Sequence, residues 1–175
     1  MKLDVAIEPI VTDNTAFTVL TALRQLGYAE LERVWRADHL LLELSGDGSA
    51  EEVVARLSRA EIVFNPNKHR LRYAIAGVRA ARGEMFEALV RDRDENNDRL
   101  VATLRTTFGI AGLRALERSM AWRLDDRAGP ATMKRLEWAC QALLANPISQ
   151  TYEIRPAPEY RELGEPASAA SKRVR

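Results

Sequence analysis

Side chains capable of chemistry are few in this chain, and they are scattered. The two histidines, His39 and His69, have no Cys or His neighbour at metal-ligand spacing. His39 falls in an alternating apolar stretch and reads as a surface or edge residue of a strand, with metal or acid–base use the sharper alternative. His69 lies between Lys68 and Arg70, just past an Asn-Pro pair, and reads as part of a solvated turn with anion contact as its alternative. The single cysteine, Cys140, shares a helical face with Met133, Leu136 and Leu143. A thiolate nucleophile needs a cationic or histidine neighbour to lower its pKa; none is indicated, so a buried apolar role is expected. Asp92, Asp94, Glu95 and Asp98 lack the glycine and distal glutamate of a calcium loop, and loop solvation with helix capping accounts for them. Gly46-Asp47-Gly48 has no Lys-Ser/Thr after it and reads as a turn, not a phosphate cradle. No residue is assigned a catalytic, cofactor or metal role.

The aromatic and basic residues suggest contact more than catalysis. Trp35, Trp122 and Trp138 read as core or inter-half packing. Base stacking would need basic residues around an open sheet. Arg33 and Arg36 near Trp35, and Arg70 and Arg72 beside Tyr73, could supply them. A formal net charge of +1 over 175 residues argues against nucleic acid as a partner. These four arginines are therefore candidate protein contacts, where arginine is enriched. One cysteine excludes an intrachain disulfide. No secretory pattern and no apolar run of membrane length is present, so a soluble, cytoplasmic chain is expected.

The elements that must position these residues come in one order, twice. Leu3, Val5 and Ile7 alternate with polar residues as a strand with one buried face. Asp13 or Asn14 can cap a helix whose stripe is Ala16, Val19, Leu20, Leu23 and Leu26, and Gly27 stops it. Leu31 to Leu44 reads as a long strand pair or one bent strand. Ser49 caps a second helix, expected to run to the stop at Asn65-Pro66, and Leu71, Tyr73 and Ile75 close the half as a strand. The second pass begins near Glu84. A helix from the Asp94–Asn97 cap ends at Gly109, strands follow through Leu124, and Gly129-Pro130 opens a helix that ends at Asn146-Pro147. Ile148, Tyr152 and Ile154 mark the last strand. Gly27 and Gly109 stand 82 positions apart, and the Asn-Pro pairs 81. A repeated order at near-constant offset predicts an internal duplication.

Each half then reads strand, helix, long strand or hairpin, helix, strand: a ferredoxin-like α+β unit with an antiparallel sheet and helices on one face. Residues 1–78 form the first unit, 83–156 the second, with a joint over 76–83 and a pseudo-twofold relating the units. Residues 157–175, with prolines, small residues and charges, are expected to be a disordered tail.

One stretch is more specific. Cys140, then Leu143-Leu144-Ala145-Asn146-Pro147, then Tyr152-Glu153-Ile154 resembles the C-terminal signature of the small subunit of bacterial phosphoribosylformylglycinamidine synthase, the PurS family. Ala22-Leu23 with Leu26-Gly27-Tyr28 resembles that family's first helix end. The resemblance spans nearly the whole chain as two tandem copies, whereas ordinary members are about half this length. Asn14 and Ala16 depart from the family's usual Pro and Gly, Ala37-Asp38 from its Gly-Lys, and Val63-Phe64-Asn65-Pro66 is a reduced closing motif. On this resemblance Gly27, Asn65, Pro66, Gly109, Cys140, Asn146, Pro147 and Tyr152 are structural motif residues. It also implies an assembly subunit in purine biosynthesis, without an active site or cofactor of its own. Such a subunit bridges a glutaminase and an ATP-dependent synthetase and aids ammonia transfer between them. Two rivals stand beside it: an ACT-like small-molecule sensor built from paired ferredoxin-like units, and an RNA-binding module on the same sheet.

Overall fold

The computed structural model describes residues 1–46, 48–77 and 85–165. The first part of the chain forms β1 (Lys2–Pro9), α1 (Asn14–Gln25), β2 (Leu31–Leu44), α2 (Ala50–Leu57) and β3 (His69–Ile75). The second forms β4 (Phe86–Asp92), α3 (Asp98–Thr106), β5 (Leu113–Asp126), β6 (Gly129–Pro130), α4 (Met133–Ala139), β7 (Gln150–Pro156) and β8 (Arg161–Glu162). The result is a mixed α+β fold with one open antiparallel sheet, ordered β7-β4-β5-β2-β1-β3-β8, and four helices. β6 pairs with β5 off that path. Among the described residues no helix is long and apolar enough to cross a membrane.

Local signals act largely as the sequence implies. The Asp13 carboxylate accepts the Ala16 N–H at 3.0 Å and starts α1. Ser49 Oγ accepts the Glu52 N–H at 3.1 Å and starts α2, with Glu51 and Glu52 in the dipole-favoured first turn. Gly27 and Gly109 follow α1 and α3 at φ +114° and +68°, a region side chains rarely adopt.

Of the two readings of Leu31 to Leu44, the single strand holds, because its length ladders onto β5. Three expectations need correction. α2 ends at Leu57, well before Pro66. Buried Ala60 and Phe64 hold the chain after it in turns closed by N–H bonds to the Leu57 and Ala60 carbonyls. Gly129-Pro130 does not open a helix. The Ala131 N–H bonds the Leu124 carbonyl and keeps this segment on β5, so α4 waits for Thr132, whose hydroxyl accepts the Arg135 N–H. Finally, residues 157–165 are built into the fold: the Ala157 N–H bonds the Met85 carbonyl and β8 pairs with β3. Residues 166–175 of the expected tail, and 78–83 of the expected joint, lie outside the described residues.

The helices share one face of the sheet. Leu3, Val5, Leu40, Leu42 and Leu116 point toward α2 and α3 in one core. Val34, Trp122, Leu124, Ala88 and Val90 point toward α1 and α4 in the other. The register puts both sets on the same side. Each core therefore takes one helix from either end of the chain: Leu104 of α3 lies with β1, and Leu23 of α1 lies with Leu136 of α4. A two- or three-turn helix covers too little apolar surface alone, and pairing helices across the halves fills the layer.

The opposite face is concave. β7 and β1 are four strand steps apart, roughly 19 Å in a flat sheet, yet Arg155 of β7 reaches Asp4 of β1 at 2.7 Å. Only a strongly curled sheet allows this.

The β2–β5 ladder also needs a close approach at its end. The Ser45 N–H bonds the Gly112 carbonyl at 2.8 Å, and a Cβ at Gly112 would meet the Ser45 oxygen at 2.5 Å. Gly112→Ala is thus expected to destabilise the protein by about 2 kcal/mol, as overpacked sites do. A urea titration checks it: the midpoint should fall with little change in slope.

Candidate functional site

Strand alternation sends every second side chain onto the concave face. There Asp4 of β1, His39 of β2, Ser119 and Arg123 of β5, Glu87 of β4 and Arg155 of β7 meet in one polar cluster. Asp4, His39 and Glu87 are 1%, 1% and 0% exposed. Charges so deeply buried persist only when paired and hydrogen-bonded.

The pairing is thorough. The Arg155 guanidinium donates to Asp4 Oδ1 at 2.7 Å and to Glu87 Oε1 at 2.8 Å. Arg123 donates to Glu87 Oε2 from Nη2 at 2.9 Å and from Nε at 3.1 Å. Its guanidinium also stacks 4.5 Å from the Trp35 ring and 5.0 Å from the Tyr160 ring. Two carboxylates thus face two guanidiniums. His39 joins them, with Nε2 2.8 Å from Asp4 Oδ1 and Nδ1 2.9 Å from Ser119 Oγ.

Electrostatics follow from this geometry. Burial alone would raise the Asp4 pKa, but hydrogen bonds from His39 and Arg155 outweigh it and hold the carboxyl below its ordinary value. Burial disfavours charge on Arg155, yet Glu87 and Asp4 raise its pKa further, so it stays a cation. Burial, with Glu87 and Asp4 nearby, pushes the Tyr160 phenol up, so it stays neutral. An ionised Asp4 can only accept a hydrogen bond. His39 Nε2 therefore carries a proton toward Asp4, with Arg155 Nη2 also 3.3 Å away, and in that tautomer Nδ1 accepts from the Ser119 hydroxyl. His39, Ser119 and Arg155 border a cavity of about 110 Å³, together with Arg91 and Leu89. Next to it, clefts of about 510 and 620 Å³ run past Arg91, Asp92, Glu95 and Arg118 toward the start of α3.

The residues singled out in the sequence fall elsewhere. Arg33, Arg70 and Arg72 are on the concave face, and Arg36 is on the helix-bearing face. Arg33 is exposed and pairs with Asp125 at 3.1 Å. Arg36 turns inward to Asp13 at 2.9 Å, since a half-buried guanidinium needs that carboxylate. Arg70 and Arg72 share Glu162, and Arg72 also meets Glu8. The four do not share one carboxylate or one face. Cys140 is fully buried and burial pushes its thiol up to about 12, which leaves it inert. Tyr152 accepts a hydrogen bond from Gln141. Asn65 and Asn146 each close a turn: their side-chain oxygens accept the N–H two residues on, at 2.9 and 3.0 Å. Pro66 and Pro147 occupy those turns.

His39 is the main surprise. Read as an edge or surface residue, it lies on a central strand between β1 and β5, and Asp4, Ser119 and Arg155 pack around its ring and bury it. Asp4, Glu87, Ser119 and Arg155 carried no sequence signal beyond one: polar residues at alternate positions of otherwise apolar strands. Among the described residues no group of three or more His, Cys, Asp or Glu side chains could hold a metal ion. Comparison with models of known protein families finds no match for this chain, and comparison with curated proteins finds none.

Two outcomes test the cluster. Arg155→Met leaves two buried carboxylates short of a cation, and should cost about 3 kcal/mol or more in a denaturant titration. Asp4 has a depressed folded pKa, so its stabilisation is complete above the unfolded carboxylate range near pH 4 and is lost as pH falls through the folded value. The melting temperature should therefore drop steeply below about pH 4. In Asp4→Asn, already lower at neutral pH, that acid-side drop should be shallower.

Proposed function

We propose that this chain is a tandem form of a small assembly subunit: two ferredoxin-like units fused and joined about a pseudo-twofold, resembling a covalent PurS-type dimer. The observation that carries the reading is the register of β2 on β5. Asp38 faces Met120, and these residues stand 82 positions apart, as Gly27 and Gly109 do. One step out on either side, Ala37 faces Ala121 and His39 faces Ser119, and an 82-residue shift turns each pair into the other. Such a ladder suits two copies of one strand meeting antiparallel at their midpoints, as in an isologous contact.

Other features point the same way. Ile7 faces Asp38 where β1 meets β2, and Val90 faces Met120 where β4 meets β5. The Asn65 and Asn146 turns use the same side-chain bond. Helices α1 and α3 each pack with the helix of the other half, as exchanged elements do in swapped dimers. Fusion keeps each half permanently in reach of the other. It also lets one copy diverge. Asp4 faces Ala74 and Glu87 faces Arg155, and Arg155 stands 81 positions beyond Ala74, the offset of the Asn-Pro turns. A single arginine, present in one copy only, serves buried carboxylates from both.

On this reading the protein works in the cytoplasm by shape and surface. It holds a glutaminase and an ATP-dependent synthetase together in purine biosynthesis, so that ammonia passes between them without loss to solvent. Reconstitution tests it. Adding the chain to separately purified glutaminase and synthetase subunits from the same cell should give one co-eluting complex and glutamine-dependent formation of formylglycinamidine ribonucleotide. Ammonia-dependent synthesis should change little. Separate elution with no gain in glutamine-dependent product would reject the assignment.

A further inference from the structure

The concave-face cluster contains an arrangement that an assembly role does not use. Ser119 Oγ, His39 and Asp4 form a line of hydrogen bonds at 2.9 and 2.8 Å. A nucleophile within reach of a base, itself oriented by a third group, is the geometric signature of an activated hydroxyl. Asp4 and His39 are sealed, whereas Ser119 is half-exposed and borders the 110 Å³ cavity. That gradient, with buried orienting groups and an accessible hydroxyl, is what nucleophilic attack on a small molecule requires.

We propose that Ser119 is a nucleophile that takes the acyl group of a small ester, with His39 as its general base and Asp4 as the positioning residue. A cavity of this size admits a short acyl chain and excludes a bulky one. Leu41 and Leu89 provide the apolar part of its wall; Glu117, also in the wall, holds Arg91 Nη1 at 2.8 Å, and the remaining N–H groups of that guanidinium serve the oxyanion. In the first step Ser119 Oγ bonds to the carbonyl carbon as its proton moves to His39 Nδ1. Asp4 holds Nε2–H and offsets the charge on the imidazolium. The tetrahedral intermediate collapses, the C–O bond to the leaving group breaks, and His39 returns the proton to the departing alcohol. Water then attacks the acyl-serine with His39 again accepting a proton, which releases the carboxylic acid and restores the hydroxyl. The activity is separate from the assembly role, and neither depends on the other.

The full chain and p-nitrophenyl acetate test it. The expected result is a burst of p-nitrophenol approaching one equivalent per chain, with one acetyl group located at Ser119 by peptide mass mapping. Ser119→Ala, whose folding circular dichroism verifies, should lose about 100-fold or more of the burst rate, the usual contribution of an activated group. Asp4→Asn should slow acetylation and move the pH at which the rate falls, while the label stays on Ser119; a merely structural role for Asp4 would leave that pH unchanged. Acetylation of some other residue, or none at all in the wild-type protein, overturns the proposal. So does a burst that survives Ser119→Ala.

Discussion

Antiparallel pairing of β2 with β5 is the contact on which the rest of the molecule depends. These two 14-residue strands sit at the centre of the sheet, and β1 and β4 attach to their outer edges. Both hydrophobic cores draw on this ladder. The first draws on Leu113 and Leu116 of β5 as well as Leu40 and Leu42 of β2; the second draws on Leu31 with Trp122 and Leu124. Each half of the chain is too small to bury a sizeable core alone. Sharing strands and helices across the ladder gives two modest cores that behave as one layer.

The central ladder also explains the polar cluster. A sheet with all four helices on one face leaves the other face uncovered. Curling turns it inward, and β8 on β3 helps to close it. The cost is that charged side chains on the inner face lose water. Asp4 and Glu87 keep their charge because Arg155 and Arg123 reach them, and aromatic rings of Trp35 and Tyr160 cover Arg123. Exchanging such a network for apolar residues can be neutral for stability, whereas losing one member is costly. The network therefore favours this particular curvature over other ways of folding the sheet, since Arg155 reaches both carboxylates only when β7 and β1 approach.

Much of the framework was legible in the sequence. Helix starts at Asp13 and Ser49, stops at Gly27 and Gly109, and the paired Asn-Pro turns are local events, decided by a few neighbouring residues. Where a distant strand competed, local reading failed. Gly129-Pro130 resembles a helix opening, yet β5 claims it as a ladder partner. Pro66 resembles a helix stop, but burial of Ala60 and Phe64 ends the helix sooner. The segment after Pro156 has the composition of a tail, yet Tyr160 finds a place in the concave face and Arg161 pairs beside Tyr73. The four arginines rested on their nearness along the chain to Trp35 and Tyr73, and Arg36 proves to be occupied internally by Asp13.

By itself the chain's order of residues determined most of the strands and helices, and where several of them begin and stop. Those outcomes follow from capping, backbone preference and apolar periodicity, which act over a few residues. Only tertiary structure decided that Asp4, His39, Glu87, Ser119 and Arg155 converge. They lie on five different strands, so their meeting depends on register, strand order and curl. A polar residue at an alternate strand position reads as solvent-facing until another part of the chain arrives to cover it.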